Sequence, residues 1–219
     1  RGRYYLSKTK DDIAYYKKRA EDLLKNAASL MEIYREDGAR RLNAFMLADA
    51  ENAGKRRNIL TVPPLYTAEP EFLEELLKKR EIPAEDIDNI LEFARSQREL
   101  AEKILKNGGI TDEIPIISRE EFERHPAVLP LSGMFYGKDI RLTYDEFSEH
   151  IGQTERFMQT HENYIAEFTK ANAFRNLQIL IHEGQWAMIS KGNAPAIHFV
   201  IHHPKLRSAI ENFIPPVIE

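Results

Sequence analysis

Between residues 11 and 35 apolar side chains recur at spacings of three and four: Ile13, Tyr16, Ala20, Leu23, Ala27, Leu30 and Tyr34. That spacing is a heptad seam and predicts one helix, packed on its own domain or against a second copy. Leu24 and Met31 widen the stripe, Asp11 and Asp12 suit the positive end of the helix, and Gly38 offers a stop. A second helix is expected over residues 39–53. The pattern changes at Asn58-Ile59-Leu60-Thr61-Val62, which reads as a short buried strand stopped by Pro63-Pro64. Leu65, Tyr66 and Thr67 read as a loop, residues 69–79 as a helix and residues 84–107 as a longer one. Asn107-Gly108-Gly109 marks the end of that helix, and residues 114–117 form a further expected strand.

Two capping boxes, Ser118 with Glu121 and Thr143 with Glu146, open a short helix ending near His125-Pro126 and a longer one reaching about Thr160. Residues 130–138 read as a loop. Four strand-like runs follow, over residues 164–169, 177–182, 186–191 and 196–202, before a final helix that starts at Pro204. If Glu183 and Gly184 form a two-residue turn, Ile181 faces Trp186 and Ile179 faces Met188. Both faces of this hairpin carry apolar residues, so helices are expected on both sides of the sheet. The expected architecture is α/β: a helical N-terminal arm over residues 1–55, then a mixed sheet flanked by helices over residues 56–219.

Composition adds limits. With 219 residues, 42% apolar and 30% charged, the chain has enough material for a full hydrophobic core. Acids outnumber bases 35 to 31, a formal net charge of -4, so there is no global attraction to DNA or anionic lipid. Cysteine is absent, which excludes disulfides, thiolate metal sites and a cysteine nucleophile. That absence fits a reducing, cytoplasmic setting, and no apolar run approaches the ~20 residues of a membrane span. The chain opens on arginine, without the apolar stretch of a signal peptide, and reads as a fragment.

Catalytic signatures are missing. There is no Gly-x-Ser-x-Gly elbow, no P-loop and no Gly-x-Gly-x-x-Gly, and no cofactor is implied. His198 and His202 share one face of a strand, and His182 with Glu183 could join them; three imidazoles and a carboxylate can hold zinc. The competing reading, solvated or backbone-bonded histidines at strand ends, is the stronger, and no metal is assigned. The basic run Lys55-Arg56-Arg57 is expected in a wet loop ahead of the strand. Tyr66 follows a buried strand, and Phe135 and Tyr136 lie in the second loop. In open α/β sheets such positions line ligand pockets, and the equal alternative is that the three rings cap the core. Together with His182, Trp186 and His198 these are the candidate ligand-binding residues.

Several stretches carry a family likeness. They are Pro63-Pro64-Leu65-Tyr66-Thr67, the run from Leu129 to Tyr136, Phe174-Arg175-Asn176-Leu177-Gln178-Ile179, the run from His182 to Lys191, the run from Asn193 to Ile201, and His203-Pro204-Lys205-Leu206-Arg207. This text resembles the long C-terminal region of helix-turn-helix regulators of the Cro/C1 (XRE) type from gut Firmicutes. The resemblance implies a ligand-sensing or dimerising effector region: a homodimer, meeting DNA only through an N-terminal domain missing here, with an unidentified small-molecule effector and no enzymatic activity. The closing order of strands and helices is also similar to half of a phospholipase-D-like fold without its catalytic residues. Two other functional classes stay open: a hydrolase or phosphodiesterase using His182, His198 and His202, and a protein-interaction module with no ligand.

Overall fold

The computed structural model describes residues 14–19, 21, 30–35, 39–129, 140–170, 177–191 and 196–213. The strands are β1 (Met31–Arg35), β2 (Gly54–Ile59), β3 (Gly108–Pro115), β4 (Val128–Leu129), β5 (Ile140–Arg141), β6 (Tyr164–Thr169), β7 (Gln178–His182), β8 (Trp186–Lys191) and β9 (Ile197–Ile201). The helices are α1 (Ala39–Asp49), α2 (Pro70–Lys79), α3 (Ala84–Asn107), α4 (Arg119–Arg124), α5 (Tyr144–Thr160) and α6 (Pro204–Phe213), with a short 3-10 turn at Leu65–Thr67. The fold is α/β. One seven-stranded mixed sheet runs β1-β9-β8-β7-β2-β3-β6, and β4 with β5 forms a separate ribbon. β2, β3 and β6 are mutually parallel, and every other pairing in the sheet is antiparallel. Parallel neighbours need long crossovers, and here α2 with α3, then α4 with α5, supply them.

Residues directly opposite one another in a ladder share a face, so the registers sort the core into two sides. One face carries Tyr34, Val200, Met188, Trp186, Leu180, Asn58, Asp112, Ile110 and Tyr164. At one end, Leu42, Phe45 and Met46 of α1 cover Tyr34, Trp186, Met188 and Val200. At the other, Leu100, Ala101, Ile104 and Leu105 of α3 and Phe157 of α5 cover Ile110, Ile114 and Tyr164. A second apolar cluster joins α2, α3, α4 and α5 through Phe72, Leu73, Leu76, Leu77, Ile90, Phe122 and Phe147. On the opposite face Ile179, Ile181 and Ala187 pack with Ile59 and with Ile210 of α6. Helices on both sides of the hairpin are thus as its two apolar faces predict.

Both capping boxes close: Ser118 Oγ accepts from the Glu121 amide at 3.2 Å, and Thr143 Oγ1 accepts from the Glu146 amide at 3.2 Å. Glu146 also receives Arg80 Nη2 at 2.6 Å, tying the start of α5 to the end of α2.

Four expectations change. The heptad seam does not run to Arg35, because Met31–Arg35 is an edge strand on β9, with Tyr34 opposite His198. Leu30 O accepts from the amides of both His202 and His203, at 2.8 and 3.0 Å. Non-local pairing outweighs a local helical pattern here. Residues 14–19 are helical, but most of the seam positions lie outside the described residues.

The strand expected at residues 58–62 begins at Gly54, so the basic run lies inside the sheet and not in a loop. It is tolerated because Lys55 is exposed and the other two charges are matched: Arg56 Nη2 meets Asp49 Oδ2 at 2.9 Å, and Arg57 Nε donates to Glu113 Oε1 at 2.6 Å. The strand expected at residues 114–117 begins directly after α3, at Gly108, opposite Gly54.

Finally, the β7–β8 loop holds three residues, Glu183-Gly184-Gln185, with Gly184 at φ 75° and the Gln185 amide donating to His182 O at 2.9 Å. The extra residue shifts the register: His182 faces Trp186 and Ile181 faces Ala187. Trp186 and Met188 therefore join Leu180 and not Ile179 and Ile181.

The glycines give a testable contrast. A Cβ on Gly108 would lie 1.9 Å from the carbonyl oxygen of Gly54, backbone against backbone, where neither strand can yield. A Cβ on Gly184 meets nothing within 4 Å and faces only the cost of a left-handed φ. Gly184→Ala should lose about 1 kcal/mol in urea unfolding. Gly108→Ala should lose about 3 kcal/mol or more. Equal losses would contradict the close approach.

Candidate functional site

The buried polar side chains gather on the helix-covered face. Asp112 sits mid-strand in β3, fully buried, in the alternation Ile110–Asp112–Ile114. Its Oδ1 accepts from Asn58 Nδ2 at 2.7 Å, and its Oδ2 accepts from Tyr164 Oη at 2.8 Å and from Tyr66 Oη. The 3-10 turn delivers Tyr66, whose ring also packs on Phe157 and Tyr164. Among the described residues no cation touches this carboxyl. Burial pushes Asp112 up to about 6, and the hydrogen bonds from Tyr66, Asn58 and Tyr164 pull only part of the way back. Burial, then the neighbouring Asp112, drives both tyrosine hydroxyls far above their ordinary value.

A second cluster lies across β2 and β7, at the end of α1. Arg56 Nη2 donates to Asp49 Oδ2 and to the Asp49 carbonyl, both at 2.9 Å, while its Nη1 donates to Gly54 O at 2.9 Å. His182 Nδ1 lies 3.0 Å from Asp49 Oδ1. Burial opposes ionisation of Asp49, but Trp186, His182 and Arg56 together hold its carboxyl below the usual value.

A third cluster joins α5 to the Pro64–Thr67 turn. His150 Nε2 faces Pro64 O at 3.2 Å, Thr67 Oγ1 donates to that same carbonyl at 2.8 Å, and Thr67 and Thr154 share a 2.7 Å hydroxyl contact. Burial lowers His150 to about 4, so the ring is neutral at physiological pH and donates from Nε2.

The candidate residues are thereby dispersed. Tyr66 belongs to the Asp112 cluster, while His182 and Trp186 belong to the Asp49 cluster, ring centroids 6.1 Å apart. His198 lies two strands from His182, its Nδ1 2.8 Å from Ser190 Oγ, and burial lowers its pKa. Phe135 and Tyr136 lie outside the described residues. His202 is separate again, with Nε2 3.3 Å from Glu32 Oε1. The three histidines weighed as zinc ligands thus have three different partners. Among the described residues no group of three His, Asp or Glu side chains could hold a metal ion.

An open groove of about 450 Å³ is lined by Glu102, Leu105, Lys106, His161, Glu162 and Asn163, and none of the six candidates is among them. Sequence reasoning missed Asp49, Arg56, Asn58, Asp112 and His150. Two were within reach: Asp112 through the period-two Ile110/Asp112/Ile114, and His150 through its helical register with Phe147, Thr154 and Phe157.

Asp112 and His150 oppose each other in pH. The folded value of Asp112 is raised from 3.8 to about 6, so its stabilisation is full below about 4 and lost as pH rises through 6. The folded value of His150 is lowered from 6.5 to about 4, so its stabilisation is present above about 6.5 and lost as pH falls towards 4. Each shift corresponds to about 3 kcal/mol. In urea titrations Asp112→Asn should gain on the parent by up to about 3 kcal/mol between pH 4 and pH 7. A pH-independent difference between the two proteins would refute the buried, raised carboxyl.

No helix among the described residues is long and apolar enough to cross a membrane. No protein-family model matches the sequence, and no curated protein matches it. The chain is similar to the solved structure of TrmBL2, an archaeal chromatin protein described as showing a novel mode of DNA binding, at a TM-score of 0.41 and 9% identity. That alignment covers 96% of this chain and 64% of TrmBL2, so the chain spans less than two thirds of its length. A likeness of this size carries no argument about this chain.

Proposed function

We propose that this chain is the effector region of a bacterial transcription regulator, dimerising, sensing a small molecule or both, and reaching DNA only through a separate domain. One observation carries the reading: groups capable of chemistry are turned inward, while apolar side chains are turned outward on the N-terminal arm. Asp49, Asp112, His150 and His182 are all buried. By contrast Tyr15 is 57% exposed, Tyr16 62%, Met31 40% and Ile33 50%. Met31 and Ile33 share one side of β1, whose other ladder edge pairs with no strand among the described residues. An open edge with apolar neighbours favours association unless it is blunted. In a two-fold dimer the same strand of each copy meets its mate. A DNA-binding domain of the kind the resemblance implies would connect through this arm, so dimerisation there would set the spacing of two such domains. The hydrolase reading is disfavoured because His182 is closed on Asp49 and His198 on Ser190.

Sedimentation equilibrium tests the association. The parent chain is expected to dimerise, and Ile33→Lys should weaken the dimer at least about tenfold, roughly 1.4 kcal/mol, with an unchanged circular dichroism spectrum. A parent that stays monomeric at high concentration would remove the dimer from this reading. Sequencing the native gene ahead of Arg1 tests the rest: an in-frame helix-turn-helix segment is expected there.

A further inference from the structure

His182 closes the β7 strand with both ring nitrogens against oxygen. Nδ1 lies 3.0 and 3.1 Å from the two carboxyl oxygens of Asp49, and Nε2 lies 3.2 Å from the backbone carbonyl of Ala53. A carbonyl oxygen can only accept. The Asp49 carboxylate is fixed as an acceptor by Arg56 Nη2, 2.9 Å from Oδ2. A neutral imidazole has one N–H and one lone pair, so it would set that lone pair against an oxygen inside the core. Leaving a buried acceptor without a donor costs about 1–3 kcal/mol. Only the imidazolium donates on both sides. We propose that His182 is doubly protonated in the folded chain, and that its proton latches the end of α1 and the α1–β2 corner to the β7–β8 hairpin.

The surroundings are built for that ring. Gly54 stands at φ 140°, and a Cβ there would fall 2.6 Å from His182 Nε2, so glycine is what lets the ring reach the Ala53 carbonyl. From β8, Trp186 meets the imidazole edge-on, interplanar angle 90°. The charged groups facing the ring are Asp49 from α1 and Arg56 from β2. Asp49 attracts the proton. Arg56 repels it but also keeps the carboxylate ionised, so the proton resides on the ring and not on the acid. The latch has reach, because α1 carries Leu42, Phe45 and Met46 onto Tyr34 of the edge strand. Losing the proton would free one of the two oxygens and loosen the seat of α1.

Nitrogen-15 spectra of the histidine rings in the full chain at pH 7 test the protonation directly. His182 is assigned through its contact with Trp186, so no variant is needed. Two protonated ring nitrogens are expected; one protonated and one bare nitrogen would overturn the latch. As a second readout, Asp49→Asn keeps an acceptor oxygen but removes the charge, and should leave one ring nitrogen of His182 bare in the same spectra at pH 7. Two protonated ring nitrogens in the variant as in the parent would equally overturn it.

Discussion

A guanidinium in the middle of a sheet is stable only where its charge is met, and Arg56, 4% exposed, is met by Asp49. Desolvating an ion costs several kcal/mol, which a well-placed partner and further hydrogen bonds can offset. Here the partner is the last residue of α1, and Nη1 and Nη2 donate further to the carbonyls of Asp49, Asn52 and Gly54. This one requirement fixes where α1 ends, how the chain turns into β2 and which residue of β7 lies alongside, since His182 is opposite Arg56 in the ladder. With β2 held, Gly54 sets the start of β3 by direct backbone contact with Gly108. The parallel half of the sheet and the antiparallel half therefore meet on a charged joint, not on a purely apolar one.

How legible this was depended on the range of the interactions. α3 and α5 and strands β6 to β9 follow from short-range signals: capping boxes, proline placement and alternation within five or six residues. β1, β2 and β3 do not. Each contains residues whose local pattern reads otherwise, Glu32 in β1, the basic run in β2 and Gly108-Gly109 in β3, and each is a strand because of partners far away in sequence. Glu32 illustrates the point. It accepts from Tyr34 Oη at 2.5 Å and faces His202, more than a hundred and fifty residues later in the chain. No window over residues 11–35 contains that information. The hairpin register failed for a smaller reason. A single extra loop residue moves every side chain to the other face, and Gly184 fits a two-residue and a three-residue turn equally well.

The candidate site was legible as residue types and not as an arrangement. Tyr66, His182, Trp186 and His198 were singled out, and all four are at least partly buried on the same side of the sheet, but they serve separate clusters. What joins those clusters is the row of polar positions that alternation places beneath α1 and the Pro64–Thr67 turn. Placing the expected strand at residues 114–117 left Asp112 outside it and hid its two tyrosines, because their hydroxyls converge only once β3 lies between β2 and β6. A buried carboxyl with neutral donors, a buried neutral imidazole and a buried ion pair with a second imidazole are all expensive. Each is bound to a segment that joins elements, so they specify how the helices seat on the sheet more than they add to net stability.

That division of labour bears on which parts can respond to a signal. The Phe72–Phe147 cluster between the helices is mostly apolar, with the buried, neutral His150 ring 5.8 Å from Phe72 as the titratable group against it. The sheet end under α1 is different. Apolar contacts from Leu42, Phe45 and Met46 reach Tyr34 and Trp186, and the same helix ends on Asp49. A perturbation at the Asp49–His182 pair therefore acts on the helix that also packs on β1, the strand bearing exposed Met31 and Ile33. Tyr34 strengthens this coupling: burial and its bond to Glu32 raise its hydroxyl to about 12, so it stays a donor across the physiological range. Edge strand, α1 and hairpin thus form one connected unit in which a change of charge inside the sheet bears directly on the strand that carries exposed Met31 and Ile33.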